Sequence, residues 1–280
     1  MRTSFLISWA MVVGMSTAGT AQTLAPRAVL SGGGSGSDGS TSLSWSLGQP
    51  TSATYIALTT VATAGVQQPE GVVLQLNIAA LLEGPYDAST DLMHDSLRVR
   101  GLLPIAEPFS AVGLSPIGLQ AGARLSAGAL LAGGPDAVVD WVRLELRGAD
   151  DASRVSAARA ALVQRDGDVV DIDGVSHVRI TALPGNYRIA LRHRNHLPVL
   201  TLDPVTLGTG VNSIDLIAGT LALHVPNAQV LRDGRHLLWR GDVNGDGTVK
   251  YTGVTNDRDP VLVSVGGAVP NNTITGYLPA

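Results

Sequence analysis

The stretch Val138-Val-Asp-Trp-Val-Arg-Leu-Glu-Leu-Arg147 decides the fold class, because its apolar residues recur at every second position. One face of the extended chain carries Val142, Leu144 and Leu146. The opposite face carries Trp141, Arg143, Glu145 and Arg147. This alternation is typical of a half-buried antiparallel strand, with one side against a core and the other in water.

Strand-like runs recur at short intervals on both sides of this stretch. Before it, apolar side chains alternate with other residues at Val72, Leu74, Leu76 and Ile78. After it, the predicted strands are 155–164, 169–172, 177–183, 186–194 and 211–218. We expect 177–183 to pair with 186–194 through the turn Pro184-Gly185. Residues 91–99 fit a strand or a helical turn.

Short strands, frequent Gly and Asp turns and the lack of a long helical period predict an all-β fold. We expect an antiparallel β-sandwich over residues 71–220, with Greek-key connections of the immunoglobulin or prealbumin type. Residues 22–70 are predicted to form a Gly/Ser-rich β segment. It would contain a β-hairpin with a flexible tip at 31–40 and a strand at 55–61. Residues 221–240 would then link the sandwich to a small C-terminal module within residues 221–280.

The N-terminus, residues 1–21, is typical of a secretory signal peptide. Arg2 supplies a positive charge, residues 5–13 form an apolar run too short to span a bilayer, and small residues follow up to Ala21. We therefore expect cleavage after Ala21 and a protein that is secreted or held at the cell surface. No later run is long and apolar enough for a membrane helix. The chain has no cysteine, so disulfides do not fasten it.

Charge and motif content argue against nucleic-acid binding and against catalysis. A net charge of −4 leaves no basic field for nucleic acid. The acid pairs lie in turns or at strand ends, at Asp150-Asp151, Asp166/Asp168 and Asp171/Asp173. The Gly-rich stretch around Ser35 matches neither a nucleophile elbow nor a phosphate-binding loop. We therefore expect a protein that is not an enzyme.

The stretch Asp242-Val-Asn-Gly-Asp-Gly-Thr248 begins as an EF-hand calcium loop begins, with the spacing D-x-N-x-D-G. Side-chain oxygens at loop positions 1, 3 and 5 would come from Asp242, Asn244 and Asp246. Gly247 holds position 6, where the chain turns sharply, and Thr248 would supply its backbone carbonyl. The alternative is a plain hydrophilic turn, since Asn-Gly and Asp-Gly are strong turn formers.

The closing ligand of this loop differs from the EF-hand pattern. Gly253 stands at position 12, where that pattern has a bidentate Glu. Acidic residues return at Asp257 and Asp259. We predict that Asp257 closes a Ca²⁺ site, with Asp259 as the alternative. Asp259 precedes Pro260 and therefore suits the N-cap of a short helix over residues 260–265.

Two histidines, His193 and His196, end the stretch 187–196. His193 would lie on the core face at the end of a strand, and His196 in the loop beyond it. Either the pair holds a metal ion or His193 forms a buried hydrogen bond at the rim of the sandwich. The second is favoured, because side chains at i and i+3 diverge on a regular strand. The arginines nearby are expected to pair with Glu145.

The last fifth of the chain resembles a dockerin-type calcium module. The resemblance is greatest to the modified form at the ends of secreted bacterial surface proteins described as hemagglutinin-like or gliding-motility-related. The residues that carry it are 241–253 and 256–262. Similar elements occur at 65–69, 82–87, 139–147, 164–168 and 192–196. Dockerins carry two calcium repeats, whereas this chain shows one. We therefore expect either a single calcium repeat or a truncated C-terminus.

The resemblance implies export, calcium binding and no known catalysis. We therefore expect a secreted or cell-surface protein whose calcium-stabilised module serves adhesion, surface structure or assembly. Its partner would be a surface glycan or another surface protein. The alternative is a carbohydrate-binding module accessory to an extracellular polysaccharide system. In that case Trp45, Trp141 or Trp239 would stack on a sugar, although a strand tryptophan also serves a core.

Overall fold

The computed structural model divides the chain into two compact units, residues 1–69 and 70–280. In the first unit the structure describes the backbone of four strands. In the second it describes residues 71–114, 117, 122–267 and 271–277. The predicted signal peptide, its cleavage site at Ala21 and the side chain of Trp45 lie outside the described residues.

The first unit contains two described antiparallel hairpins. β1 (Gly33–Ser37) pairs with β2 (Ser42–Ser46), and β3 (Ala53–Ala57) pairs with β4 (Thr60–Ala64). The predicted hairpin is present, but β1 lies in the Gly/Ser run that was expected to be a flexible tip. Composition misled here because a strand ladder uses backbone groups that every one of these residues has. The single strand expected at 55–61 is wrong, since that range overlaps both β3 and β4.

The second unit is built mainly of strands. Its described strands are β5 (Val72–Ala79), β6 (Leu81–Leu82), β7 (Tyr86–Asp87), β8 (Leu92–Met93), β9 (Val138–Gly148), β10 (Val155–Gln164), β11 (Asp168–Val170), β12 (Val178–Ala182), β13 (Gly185–His193), β14 (His196–Leu200), β15 (Val205–Leu207), β16 (Val211–Asp215), β17 (Gln229–Arg232) and β18 (Arg235–Leu238). Two short helices, α1 (Ser96–Val99) and α2 (Arg258–Ser264), accompany them. The 3₁₀ turns are Phe109–Val112 and Gly134–Asp136.

Most of the strands form one large and one small sheet that share a core, and β7 pairs with β8 in a separate two-stranded sheet. The large sheet has the order β12-β5-β11-β10-β9-β13-β14, with β15 beside β13 and β16 beside β5. The small sheet has the order β17-β18-β6. The buried core includes Leu74, Leu76, Ile78, Leu81, Leu82, Val142, Leu144, Leu146, Leu237 and Leu238. The all-β, sandwich-like fold is therefore confirmed, whereas the Greek-key connections stay a prediction.

Alternation predicted the positions of the strands better than their partners. The two segments flanking Pro184-Gly185 form β12 and β13 but do not pair with each other. β12 pairs with β5, and β13 pairs with β9. A turn motif bends the chain, but a strand pairs where its apolar face is buried. Residues 91–99 contain both a strand, β8, and a helical turn, α1.

Two strand pairs are parallel, although antiparallel sheets were expected. β16 lies parallel to β5, and β18 lies parallel to β6. Both parallel partners come from residues 211–238, which return to the first strands of the unit. The predicted linker over residues 221–240 therefore contains β17 and β18 instead.

β9 is buried on both faces. This corrects the expectation, based on its alternation, that one face of the strand is exposed to solvent. Trp141 has no exposed surface and is therefore not available to stack on a sugar. The second face of β9 is covered by the segment between β8 and β9. Trp141 Nε1 donates to the carbonyl oxygen of Pro104 at 2.9 Å, and Arg143 Nη1 donates to that of Leu114 at 2.5 Å. The apolar part of this second core includes Leu103, Phe109, Leu125, Ala129, Val138, Ala160 and Leu162.

A buried ion network lies under this covering segment. Glu145 accepts hydrogen bonds from Arg143 Nε at 2.8 Å and from Arg147 Nη2 at 2.6 Å, and Arg192 Nε lies 3.6 Å away. Burial raises the pKa of Glu145, but the hydrogen bonds from Arg143 and Arg147 outweigh it and lower the pKa. Of the arginines on 187–196 that were expected to pair with Glu145, only Arg192 lies near it, whereas Arg194 pairs with Asp140. The hydrogen bonds to Glu145 come instead from Arg143 and Arg147 of its own strand.

We predict that Glu145→Gln lowers the free energy of unfolding by about 3–5 kcal/mol, because it leaves the 4% exposed Arg143 buried without a counter-charge. The matched control is Asp150→Asn, which breaks a similar pair with Arg154 on the surface and should cost at most about 1 kcal/mol. Urea unfolding of both variants measures the difference. Equal losses would contradict the buried network.

Candidate functional site

The Asp242 loop, defined here as residues 242–257, follows β18 and is tied to the hairpin of β13 and β14. The Gly241 N–H donates to the carbonyl oxygen of Asn195 at 2.9 Å, and the Leu197 N–H donates to that of Trp239 at 2.8 Å. Gly247 has φ +81°, which meets the need for a sharp turn at position 6. The loop is therefore held at its start by the large sheet.

Asp242 has a buried carboxylate, and only one of its two oxygens has a hydrogen-bond donor among the described residues. Its Oδ2 accepts the Gly247 N–H at 3.0 Å. Its Oδ1 is buried and has no hydrogen-bond partner among the described residues. Burial, and then the nearby charges of Asp257 and Asp246, raise the pKa of Asp242. A buried oxygen without a donor, surrounded by like charges, is an atom that a cation would satisfy.

Asp257 folds back onto the loop, at the place where a closing residue was predicted. Its Oδ1 accepts the N–H groups of Val243 at 2.8 Å and Asn244 at 3.3 Å, and its Oδ2 accepts that of Lys250 at 2.6 Å. These bonds draw the end of the loop to its start. Each carboxylate oxygen has two lone pairs, so Oδ2, which accepts one N–H, retains capacity for a further contact.

Asn244 and Asp246 shape the exposed turn between these two acids. Asn244 Oδ1 accepts the Asp246 N–H at 2.9 Å, and Asn244 Nδ2 donates to Asp246 Oδ2 at 3.2 Å. Asp246 Oδ1 accepts the N–H of the exposed Thr248 at 2.9 Å. The candidate side chains at positions 1, 3 and 5 thus belong to one hydrogen-bonded turn.

Asp259 contacts its own helix end rather than the Asp242 loop. Its Oδ1 accepts from Arg258 Nη2 at 3.0 Å, and its Oδ2 accepts from Asn256 Nδ2 at 2.8 Å. α2 begins at Arg258, so Asp259 lies in its first turn and the predicted N-cap role is wrong. The N-cap residue is Asp257, whose side chain makes no capping bond, and the Asp259 N–H donates instead to Asn256 Oδ1 at 2.9 Å.

The donor chemistry of the Asp242 loop fits Ca²⁺. Across the described residues, no three His, Cys, Asp or Glu side chains converge as a metal-binding group. The loop instead combines carboxylates with an amide oxygen and backbone carbonyls, which are the hard oxygen ligands that Ca²⁺ prefers. The unpaired Asp242 Oδ1 would be the first ligand atom for such an ion.

His193 and His196 meet, which corrects the expectation that they diverge. Their Nδ1 atoms lie 2.9 Å apart, and their rings are T-shaped with centroids 4.6 Å apart. β13 ends at His193, and the two-residue turn Arg194-Asn195 returns the chain so that the histidines become register partners. His196 therefore starts β14 instead of lying in a loop.

Both histidines use their ring nitrogens in one hydrogen-bond chain. The Gly84 N–H donates to His196 Nε2 at 3.1 Å, so His196 carries its proton on Nδ1, facing His193 Nδ1. His193 Nε2 then donates to Asp140 Oδ2 at 3.1 Å. Burial, and then the charges of His193, Arg194 and Arg240, lower the pKa of His196 to about 2. This geometry supports the hydrogen-bonded alternative over a metal-binding pair.

Asp140 collects donors from three parts of the chain. Its Oδ2 accepts from His193 and from Arg194 Nε at 3.0 Å, and its Oδ1 accepts from the Trp141 N–H at 2.8 Å and the Tyr277 hydroxyl at 3.0 Å. Burial raises the pKa of Asp140, but the hydrogen bond and charge of His193 outweigh it and lower the pKa. Sequence reasoning missed this cluster, although an Asp inside the apolar run of β9 was a signal.

Two clefts flank the histidine hairpin. The first has a volume of about 220 Å³ and lies between the hairpin and the Asp242 loop. Its polar lining includes Arg192, His196, Asp242 and Asn244. The second has a volume of about 330 Å³ and extends towards Gly84 and His94. The first cleft is the one that the candidate calcium loop borders.

We predict that acid destabilises the protein partly through His196. In the unfolded chain His196 takes up a proton near pH 6.5, whereas the folded protein keeps it neutral down to about pH 2. The unfolded state binds more protons in this window, so the free energy of unfolding falls by up to about 1.4 kcal/mol per pH unit as pH drops. Urea unfolding between about pH 7 and pH 5 measures this slope.

His196→Gln should flatten the slope, and the control His224→Gln, at an exposed position, should keep it. If the two variants had the same slope, His196 would not be the group that titrates.

Comparisons of the chain with protein-family models, with curated proteins and with solved structures returned no match. The resemblance to dockerin-type modules therefore depends on the residues quoted above. In the part of the chain that the structure describes, no helix is long and apolar enough to cross a membrane.

Proposed function

We propose that this is a secreted or cell-surface, non-catalytic β protein whose Asp242 loop binds Ca²⁺, and that it serves adhesion, surface structure or assembly. One observation carries the calcium site: Asp242 Oδ1 is buried without a donor while Asp257 folds back beside it. Leaving a buried carboxylate oxygen unpaired is costly, and a divalent cation removes that cost. Location outside the cell is supported by the pattern of residues 1–21, which is typical of a secretory signal peptide.

The ligands of the ion would be the side-chain oxygens of Asp242, Asn244 and Asp246, the carbonyl of Thr248 and the carboxylate of Asp257. We leave Asp259 out of this set because it contacts Arg258 and Asn256 rather than the Asp242 loop. When bound, Ca²⁺ supplies a positive charge that offsets the repulsion between these acids. The helix α2 follows directly after Asp257, so the ion would also fix where α2 begins.

A structural role for the ion is supported by the connections of the loop. Gly241 joins the loop to Asn195 of the large sheet, and Asp257 joins its end to its start. The chain has no cysteine, so calcium would take the fastening role that disulfides often have in exported proteins. Extracellular calcium modules bind with a Kd of roughly 10⁻⁴–10⁻³ M, which suits surroundings rich in calcium.

We predict that saturating Ca²⁺ raises the melting temperature by about 5–10 °C. An ion at a hundred times its Kd stabilises the folded state by about 2.7 kcal/mol, and about 2–4 °C corresponds to each kcal/mol in a chain of this size. Differential scanning calorimetry with calcium and with a chelator measures the shift. Mg²⁺ should give a smaller shift, because it demands a tighter octahedral geometry.

Asp242→Asn and Asp257→Asn should each remove most of the calcium-induced shift. Asp150→Asn, a substitution of an exposed acid outside the loop, is the matched control and should keep it. The proposal would be contradicted if the wild-type protein gave the same melting curve with and without calcium.

A carbohydrate-binding function is the second candidate, and the cleft beside the Asp242 loop favours it. The tryptophans give it less support. Trp141 is fully buried, and half-buried Trp239 packs against the core and donates its Nε1–H to Asn227 at 2.9 Å. Any sugar contact would therefore lie at the cleft rather than at a tryptophan platform.

A further inference from the structure

We propose that the cleft between the Asp242 loop and the histidine hairpin binds a carboxylated sugar unit of the hexuronate class, and does so only when the loop holds Ca²⁺. The inference depends on the calcium site proposed above and names the ligand that this site would help to bind. It is carried by the shape of the cleft, by the position of two arginines and by the unpaired oxygen of Asp242.

The lining of the cleft has an apolar part, called here the apolar wall, and a polar part, called the polar wall. The apolar wall is formed by Pro108, Phe109, Val112, Leu114 and Pro198. The polar wall includes Arg192, Arg194, Asp242 and Asn244. A sugar ring has the matching character, with C–H groups on its faces and hydroxyl groups around its edge. A volume of about 220 Å³ lies below the range of about 300–1,000 Å³ for drug-sized ligands, so the cleft suits a single ring.

Two guanidinium groups border the cleft, and each has a buried acid behind it. The side chain of Arg192 is 29% exposed and lies 3.6 Å from Glu145, and Arg194 is 18% exposed and donates to Asp140. A guanidinium has five N–H donors in a planar fork, which suits a carboxylate, and Arg192 is the more exposed of the two. The buried acids hold these groups in place, so little side-chain entropy is lost when a ligand carboxylate binds.

His196 does not set the charge of the cleft, whereas Asp242 does. His196 stays neutral because burial lowers its pKa to about 2. Asp242 lines the cleft and has a buried carboxylate oxygen without a hydrogen-bond partner among the described residues, and without an ion its negative charge opposes an anionic ligand. Ca²⁺ on the loop offsets that charge and leaves Arg192 to attract the anion. Calcium and the ligand therefore strengthen each other's binding by the same factor.

The two walls together favour a sugar acid over other carboxylates. A small carboxylate such as acetate would bind the arginine but leave the apolar wall in water. A neutral hexose would contact that wall but leave the arginine without its anion. An acidic peptide lacks the rigid ring that fills the cleft. Recognition by both walls is thus expected only for a ring that carries a carboxylate.

Isothermal titration of the full chain with D-galacturonate tests the proposal. With saturating Ca²⁺, galacturonate should bind at least about tenfold more tightly than D-galactose or acetate, since a charge-assisted pair is worth a factor of ten or more. With a chelator, the affinity should fall by about tenfold or more. High salt should weaken binding, because the ligand is held partly by charge.

Substitutions at the cleft make the test specific. Arg192→Gln should weaken galacturonate binding about tenfold, and Arg232→Gln, which breaks a pair with Glu83 outside this cleft, should leave it unchanged. Val112 is 39% exposed on the apolar wall, so it can be changed with little risk to folding. Val112→Asp should weaken binding about tenfold by repulsion, whereas the neutral isostere Val112→Asn should weaken it far less.

Three results would overturn the proposal while leaving the calcium site standing. These are a calcium-induced melting shift without galacturonate binding, equal affinity for galactose and galacturonate, and tighter binding of an aspartate-containing tripeptide. A missing melting shift would remove the calcium site itself, and calcium-independent galacturonate binding would then contradict the coupling described here.

Discussion

The buried carboxylate of Asp140 is the constraint on which the rest of the second unit depends. A charge that is removed from water must be surrounded by donors, and the donors here come from places far apart in the chain. His193 and Arg194 come from the hairpin of β13 and β14, and Tyr277 comes from the C-terminal segment. Because Asn195 of the same hairpin accepts from Gly241, the position of Asp140 also sets the position of the Asp242 loop.

Glu145 repeats this arrangement on the covered face of β9. Charged residues make up only 15% of the chain, yet several of them are turned inward, where each has a fixed partner. Arg143 links Glu145 to the carbonyl of Leu114 and so holds the covering segment against the sheet. Buried ion pairs add little net stability compared with apolar packing, but they specify which segments lie together. Here they determine where the cleft and the loop are formed.

Prediction from the sequence was most accurate for features that depend on a short, local residue pattern. Alternation located β5 and β9, and the D-x-N-x-D-G spacing led to a hydrogen-bonded turn to which Asp257 returns. Features set by distant partners were missed. The covering segment has no regular period, and the pairing of β12 and β13 depends on which strands flank β5 and β9. The histidine pair was missed because a two-residue turn, rather than a continuing strand, follows His193.

The two parallel strand pairs have a consequence for how the chain acquires its structure. Leu81 of β6 pairs with Leu237 of β18, and Ile78 of β5 pairs with Ile214 of β16. β5 and β6, the first strands of the unit, therefore pair with strands that emerge from the ribosome much later. Contacts between such remote positions make folding slow, since the entropy of closing a long loop must be overcome first. Until β18 is synthesised, β6 lacks the strand with which it pairs, and an unpaired strand edge can pair with other chains.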